Sequence, residues 1–349
     1  MRDQAIGHQP SAISKADGGP STRTRQPSYH WADGRAEPSP QVPHATMPSW
    51  QARIVNAAVR SLVRRRDWGD VRAVARRARL VLGAPGPYGW LMRQGLAQRW
   101  VRKDGVRGEW LLPANPRNGV VLYIHGGGFV CCSASTHRPI TASLVRRTGS
   151  ALFGAEYRLA PEHPFPAALD DVIAAYEWLV QSTSGAPIAV AGDSAGGGLA
   201  LSLAVHTRDA GLPPPACVVG FSPWTDLAGT GATLHDNDGR DAMFRPENIP
   251  QFADAYLGTA SASDPRASPV YADLHGLPPM LLQVGSTELL LDDSRRVHDR
   301  VVATGGSSRL HVYDDVHHVW QMLTPFVPEA RAALAEAAAF IRSRFDRRE

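Results

Sequence analysis

The sequence predicts an α/β protein with a mostly parallel central sheet and helices on both faces. Three observations predict this class. From residue 119 onward, six short apolar runs of strand length alternate with segments of helical spacing. The runs are apolar throughout, which is typical of parallel strands that are covered on both faces. A Gly-Asp-Ser-Ala-Gly sequence at 192–196 lies between one such run and the helical segment that follows.

The predicted elements follow one another in a regular order. Two helices come first, one after Ser49, which is an N-cap residue type, and one over 70–82. Strand-length runs then lie at 120–124, 151–157, 188–191, 217–221, 280–284 and 310–313. Helical segments lie at 136–147, 167–180, 195–209, 292–303 and 329–345. Residues 236–258 are helical but strandless, and we interpret them as an insertion that packs over the sheet.

The composition restricts the class of protein. The chain has 349 residues, of which 43% are hydrophobic, so it can bury a large core. It has only three cysteines, two of them adjacent at 131 and 132, so we expect no disulfide framework and a reducing, cytoplasmic compartment. We interpret the adjacent pair as packing residues, with redox control as the alternative. No apolar run reaches 18 residues, so we expect no membrane insertion.

Positive charge is concentrated in one segment. Residues 51–110 carry 14 basic and 4 acidic side chains, a pattern that could indicate nucleic acid or an anionic surface. The whole chain, however, has 35 arginines and two lysines, which indicates a general preference for arginine in its composition and not a phosphate-binding patch. It also contains none of the usual nucleic-acid-binding modules. We therefore predict no nucleic-acid partner.

The first 46 residues differ from the rest. They are rich in Pro, Ser, Gln, Gly and His and have almost no aliphatic clusters, so they cannot bury enough surface to offset the entropy of ordering. We expect a disordered extension over 1–46, with Met47 as an alternative initiator, and an ordered domain over 47–349.

Ser194 is the candidate nucleophile. It lies in a G-x-S-x-G sequence with a predicted strand before it and a predicted helix after it, which is the setting that gives this pattern meaning. Gly192 and Gly196 suit a sharp turn because they have no Cβ to collide with neighbouring backbone. The alternative is an ordinary strand-to-helix turn.

A glycine run supplies candidate oxyanion donors. His125-Gly126-Gly127-Gly128 directly follows the run 120–124. It lacks both the spacing of a dinucleotide loop and the lysine of a P-loop. We therefore predict that the N–H groups of Gly126 and Gly127, with that of Ala195, stabilise a developing oxyanion.

Two adjacent histidines compete as the base. In hydrolases built on such a turn, the acid and the histidine follow the serine on loops after later strands. His317 and His318 follow the last predicted strand and precede the final helix. Only one of them can face Ser194, and we favour His318.

Three carboxylates compete as the acid. Glu288 comes first after the run 280–284, where it could reach a histidine on the next loop. Asp292 and Asp293 have the positions of a helix's first turn, where negative charge complements the dipole. We favour Glu288, with Asp292 as the competitor.

The ordered set of motifs resembles the hormone-sensitive-lipase-like branch of the α/β-hydrolases, which includes bacterial family IV carboxylesterases. The motifs are YIHGGGF (123–129), YRLAPEHPFPAALDD (157–171), GDSAGG (192–197), SPWTDL (222–227) and VGSTELLLDD (284–293), and the resemblance spans 47–345. It implies an α/β-hydrolase fold with a helical cap, which maps to about 47–95 and 230–260. Ser194 matches the family's nucleophile, His318 its base, and Gly126, Gly127 and Ala195 its oxyanion donors. Many members carry Asp where this chain has Glu288.

The resemblance implies a serine carboxylesterase that cleaves short- to medium-chain acyl esters of small molecules through an acyl-enzyme, with no cofactor and no metal. Two alternatives stay open. One is an acetyl-hydrolase or deacetylase acting on a small amide or acetylated metabolite. The other is a hydrolase fold that serves as a small-molecule receptor without catalysis. The oligomeric state is open, a homodimer included.

Overall fold

Eight strands form one sheet in the computed structural model, which describes residues 47–64, 69–82 and 87–346. The strands are β1 (Ala97–Lys103), β2 (Val106–Leu112), β3 (Arg117–Ile124), β4 (Ser150–Ala155), β5 (Ile188–Asp193), β6 (Cys217–Phe221), β7 (Met280–Gly285) and β8 (Ser308–Tyr313). Their order across the sheet is β1-β2-β4-β3-β5-β6-β7-β8. The expectation for residues 1–46 lies outside the described residues.

The six strands from β3 to β8 are parallel to one another, and these are the six runs that the sequence predicts. The predicted α/β fold class is therefore confirmed. Several boundaries differ by one to three residues. The run predicted over 151–157 leaves the sheet after Ala155, and β3 and β8 begin three and two residues before the predicted runs.

The sequence analysis missed a hairpin at the sheet edge. β1 and β2 pair in antiparallel register, with Lys103 opposite Val106, and β2 then pairs antiparallel with β4. The turn is Asp104-Gly105, and both residues have positive φ, 54° and 80°. An Asp-Gly pair is a strong hairpin signal. Because β1 is polar and mostly exposed, it has no apolar run that would predict a strand.

Helices cover the sheet and the site. The α-helices are α1 (Trp50–Val59), α2 (Val71–Leu82), α3 (Pro87–Met92), α4 (Arg138–Thr148), α5 (Ala167–Ser182), α6 (Ala195–Asp209), α7 (Thr233–Asp236), α8 (Asn248–Leu257), α9 (Leu291–Ala303) and α10 (Pro328–Phe345). A π-helical segment, Arg60–Arg64, continues α1. The sequence analysis missed α3. None of the described helices combines the length and apolarity that crossing a membrane requires.

Each face of the sheet has its own core. Leu122 of β3 belongs to a cluster with residues of α5, α6 and α9, including Leu199 and Val297. Its neighbour Val121 belongs to a second cluster with residues of α4 and α10, including Ile341. Successive side chains of a strand point to opposite faces, so an all-apolar strand supplies both cores.

The N-terminal helices and the insertion pack on this body. The Ser49 side chain accepts from the Ala52 N–H at 3.1 Å, so the predicted N-cap of α1 is present. α1 packs on α10, where Ala52 joins a cluster with Ala330. α2 packs against α8, and Ala75 and Phe252 lie in the same core.

Candidate active site

Ser194 occupies the turn between β5 and α6. Its φ of 51° lies in the left-handed region, a backbone strain that the surrounding contacts must hold. The Ser194 N–H donates to Phe221 O at 2.9 Å. A Cβ on Gly196 would collide with the carbonyl oxygens of Ile124 and His125. The turn can therefore approach β3 this closely only because position 196 has no side chain.

His318 meets Ser194 from the loop after β8. Its Nε2 accepts from the Ser194 hydroxyl, with 2.8 Å between nitrogen and Oγ. On the other side of the ring, Nδ1–H donates to Glu288 Oε2 at 2.7 Å. Ser194, His318 and Glu288 are 8%, 4% and 1% exposed. The structure therefore brings three of the predicted residues into one buried, hydrogen-bonded row.

The second oxygen of Glu288 is also held. Oε1 accepts from the Gly285 N–H at 2.6 Å and from Ser222 Oγ at 2.7 Å. Ser222 Oγ in turn accepts from the Val319 N–H, next to His318, at 3.3 Å. Ser222 was not among the predicted residues. It lies in the SPWTDL motif, which is the signal that could have identified it.

The ring of His318 is tuned by two opposing effects. Burial lowers its pKa. The charge and the hydrogen bond of Glu288 raise the pKa by a larger amount, so the net pKa lies above the ordinary value of histidine. The Phe244 ring covers His318 edge-on, with 5.1 Å between the ring centroids. The imidazole is thus shielded from water and paired with a carboxylate.

The competing residues point elsewhere. His317 Nδ1–H donates to Asn56 Oδ1 at 3.1 Å, and burial together with the neighbouring His318 lowers its pKa to about 4. Asp292 Oδ2 accepts from the Thr233 N–H at 3.0 Å. It lies in the first turn of α9, as the sequence predicts. Neither side chain hydrogen-bonds to Ser194, His318 or Glu288.

Asp293 has a structural partner as well. Its carboxylate accepts from the backbone N–H groups of Thr225 at 2.6 Å and Asp226 at 2.8 Å. It is buried, and burial is the main reason that its pKa rises to about 7. Asp293 therefore holds the loop after β6 against α9.

The glycine loop differs from expectation at one residue. The Gly126 N–H donates to Asp193 Oδ1 at 3.1 Å, so it is already satisfied and does not face an empty position. This contradicts the prediction that Gly126 is a free donor. Among the described residues, no acceptor lies against the N–H groups of Gly127, Gly128 and Ala195. Ala195 is the first residue of α6, where an N–H has no partner within the helix.

Asp193 joins the glycine loop to the serine turn. Besides Gly126, it accepts from the Tyr123 hydroxyl at 2.6 Å and from His137 Nε2–H at 3.2 Å. Burial alone would raise the pKa of this carboxyl, but His137 and the donated hydrogen bonds lower it below its usual range. The sequence pattern treats this position as unspecified, so only the structure identifies the contact.

His125 anchors the same loop. It is fully buried, its Nδ1 lies 2.8 Å from Gly126 O, and its ring stacks on Tyr157 at 4.2 Å. Burial and the neighbouring His137 lower its pKa to about 3. The ring is therefore neutral, and it holds the loop through its contacts with Gly126 and Tyr157.

Across the described residues, no group of three or more His, Cys, Asp or Glu side chains could hold a metal ion.

Comparisons with known proteins agree with this architecture. A family model described as alpha/beta hydrolase fold matches residues 121–322. An acetyl-hydrolase of Streptomyces hygroscopicus is 39% identical over 238 residues, which are 67% of this chain and 79% of that protein. An esterase of Acinetobacter venetianus is 36% identical over 70% of this chain and 82% of its own length. The crystal structure of an esterase from the bacterial hormone-sensitive lipase family has a TM-score of 0.76 and 38% identity, covering 86% of this chain and all of that one.

Proposed function

The chain belongs to the α/β-hydrolase fold family, in its hormone-sensitive-lipase branch, and is a carboxylic ester hydrolase, and we propose that Ser194, His318 and Glu288 form its catalytic triad. The observation that carries this proposal is the hydrogen-bonded row. The Ser194 Oγ lies 2.8 Å from His318 Nε2, and His318 Nδ1 lies 2.7 Å from Glu288 Oε2.

In the proposed first half-reaction, Ser194 Oγ attacks the carbonyl carbon of the ester and gives its proton to His318 Nε2. The tetrahedral intermediate collapses when the protonated imidazole gives that proton to the departing alcohol oxygen. An acyl-enzyme on Ser194 results. In the second half-reaction, His318 takes a proton from water, which attacks the acyl carbon, and Ser194 is released with its proton restored.

Glu288 acts through His318. Its carboxylate holds the proton on Nδ1, which leaves Nε2 free to accept, and it stabilises the imidazolium that forms in each half-reaction. The raised pKa of His318 supports this role, because a carboxylate that stabilises the protonated ring also raises its pKa.

We propose that the oxyanion forms against the N–H groups of Gly127, Gly128 and Ala195. Their lack of an acceptor among the described residues supports this assignment, and the bond from Gly126 to Asp193 assigns Gly126 a supporting role. A single donor of this kind is worth roughly 2.7 to 4 kcal/mol in the transition state.

We propose that residues 47–95 and 230–260 form the cap over this site. Two observations support the proposal: α2 packs on α8, and the Phe244 ring contacts the His318 ring. The apolar Phe244 ring beside the buried Ser194 suits short to medium acyl chains. The proposed substrate is thus a small ester.

A second candidate is the removal of an acetyl group from a small metabolite. The Streptomyces hygroscopicus relative is named an acetyl-hydrolase, which favours this reaction for the same site. A series of p-nitrophenyl esters from acetyl to decanoyl, run beside an N-acetylated amine, separates the two, with Ser194→Ala as the control. Ester turnover that peaks at butyryl or hexanoyl supports the first proposal. Faster release of acetate from the amine supports the second.

We also propose that the enzyme works in a reducing, cytoplasmic compartment. Cys131, Cys132 and Cys217 are all free thiols in the structure, which fits such a compartment. Fractionation of the source cells with an antibody to the chain tests the location. The absence of a nucleic-acid partner stays a prediction, which a nucleic-acid binding assay tests, and the oligomeric state stays open to sedimentation.

A further inference from the structure

Two neighbouring thiols lie just past the glycine loop. Cys131 and Cys132 place their Sγ atoms 3.7 Å apart, within hydrogen-bond contact. Cys131 is buried and Cys132 is partly exposed. The proposed reaction uses neither of them, so this pair of nucleophilic groups has no assigned role.

The pair is tied to the glycine loop by three hydrogen bonds to one atom. Gly127 O accepts from the N–H groups of Val130 at 3.1 Å and Cys131 at 3.2 Å. It also accepts from Cys131 Sγ–H at 3.3 Å. Because the peptide unit is planar and trans, holding the Gly127 carbonyl also holds the Gly128 N–H on the opposite side. The thiol of Cys131 therefore helps to aim one of the proposed oxyanion donors.

The backbone disfavours a disulfide between these cysteines. Consecutive Cα atoms lie about 3.8 Å apart across a trans peptide. Disulfides usually need about 4.4 to 6.8 Å between Cα atoms. Closing the Sγ atoms to bonding distance would thus demand a large distortion.

A single soft atom, by contrast, can bridge the two sulfurs where they are. A thiolate bond to a soft atom such as zinc is about 2.3 Å long. Two such bonds span the observed 3.7 Å between the Sγ atoms at an angle close to tetrahedral. The site offers only two sulfur ligands, so it suits an atom that needs no further protein ligand. Trivalent arsenic that carries one organic group meets this requirement.

The two thiols differ in reactivity: the hydrogen bond with Cys131 and burial raise the pKa of Cys132 well above its ordinary value, so Cys131 is the attacking thiol. The hydrogen bond from Cys132 lowers the pKa of the Cys131 thiol, and the charges of His137 and Arg79 lower it further, against the effect of burial. Arg79 is held close by, since its Nε donates to Val130 O at 2.7 Å. The thiolate is the attacking form of cysteine.

We propose that Cys131 and Cys132 form a chelating dithiol site for trivalent organoarsenicals and that occupying this site inhibits hydrolysis. The inhibitory part rests on the proposed function, because it acts through the Gly128 donor. With an organoarsenic oxide, the two sulfurs form two bonds to arsenic and the arsenic–oxygen bond breaks. Both thiol protons leave with the oxygen as water, and no atom changes oxidation state. Cys131 then has no S–H to donate to Gly127 O.

Phenylarsine oxide tests the proposal on the full chain. Two readouts are independent: the mass of the intact protein, which reports binding, and turnover of p-nitrophenyl butyrate, which reports inhibition. We expect a single adduct and a fall in turnover of about tenfold, because one of the three hydrogen bonds that hold Gly127 O is lost while the two from the N–H groups of Val130 and Cys131 remain. We expect 2,3-dimercaptopropanol to reverse both, and 2-mercaptoethanol to reverse neither.

Variants separate the site from its surroundings. Cys132→Ser should form no stable adduct, and its turnover with phenylarsine oxide should equal its turnover without it. Cys217 is a buried thiol on β6 that serves as the control, and Cys217→Ser should bind the arsenical and lose turnover as the unaltered protein does. Ser194→Ala should still form the adduct, so binding is scored even if the proposed function fails. No adduct on the unaltered protein, an adduct that leaves turnover unchanged, or inhibition that persists in Cys132→Ser would each overturn the proposal.

Discussion

Glu288 holds His318 with one carboxylate oxygen, at 2.7 Å from Nδ1, while its other oxygen is fixed by the Gly285 N–H and the Ser222 hydroxyl. Both oxygens of the carboxylate are therefore held by hydrogen bonds. Asp292, the competing carboxylate, is committed to the Thr233 N–H. The two acids therefore have different hydrogen-bond partners.

Removing the charge of Glu288 should nearly abolish turnover. In Glu288→Gln the side chain keeps its shape but can present an N–H to Nδ1, which favours the wrong tautomer, and we expect kcat to fall by about 10⁴-fold. Asp292→Asn is the matched control and should retain most of the activity. Comparing kcat of the two variants on p-nitrophenyl butyrate decides the assignment, and a larger loss in Asp292→Asn would reverse it.

The two adjacent histidines should differ by orders of magnitude. His318→Ala removes the proposed base and should lower kcat by about 10⁴-fold or more. His317→Ala removes one hydrogen bond, to Asn56, and should cost less than about tenfold. Circular dichroism checks that both variants fold. Equal losses in two folded variants would refute the choice of His318.

Activity should fall on acidification with a midpoint above that of free histidine, about 6.5. The base must be neutral to accept a proton, and Glu288 raises the pKa of His318, so the ring becomes protonated at a higher pH than usual. The measurement is kcat/KM against pH. In Glu288→Gln the residual activity should have its midpoint at lower pH, because the stabilising charge is gone. A midpoint that stays in place would show that Glu288 does not interact with the base.

Ser222 should act as a positioning residue. Ser222→Ala removes one of the two donors to Glu288 Oε1 and the acceptor of the Val319 N–H, and a hydrogen bond to a charged group is worth about 1.5 to 3 kcal/mol. We expect kcat to fall by about tenfold to 100-fold with little change in KM. Ser222→Thr should restore part of the rate, whereas a rise in KM alone would indicate a role in substrate binding instead.

Much of this architecture could be predicted from the sequence because it depends on local patterns. The strands β3 to β8 are continuous apolar runs, and α6 begins directly after the G-x-S-x-G serine. The edge strand β1 could not be predicted in this way because it is polar. Its pairing with β2 stabilises it, and not an apolar run of its own.

The glycine loop shows why the rest could not be predicted. Gly126, Gly127 and Gly128 are chemically identical, and only a carboxylate 67 positions later decides which N–H is taken. Ser222 and Glu288 are likewise 66 positions apart. Such contacts arise where parallel strands end at the same edge of the sheet, and no local pattern in the chain specifies their geometry.

The most direct test of the whole account is covalent capture of the nucleophile. An organophosphonate that carries a good leaving group is incubated with the enzyme, and the labelled peptide is identified by mass spectrometry. We predict one label, on Ser194, that appears in parallel with the loss of esterase activity and is absent from Ser194→Ala. Labelling of another residue with loss of activity, or full activity in Ser194→Ala, would contradict the account.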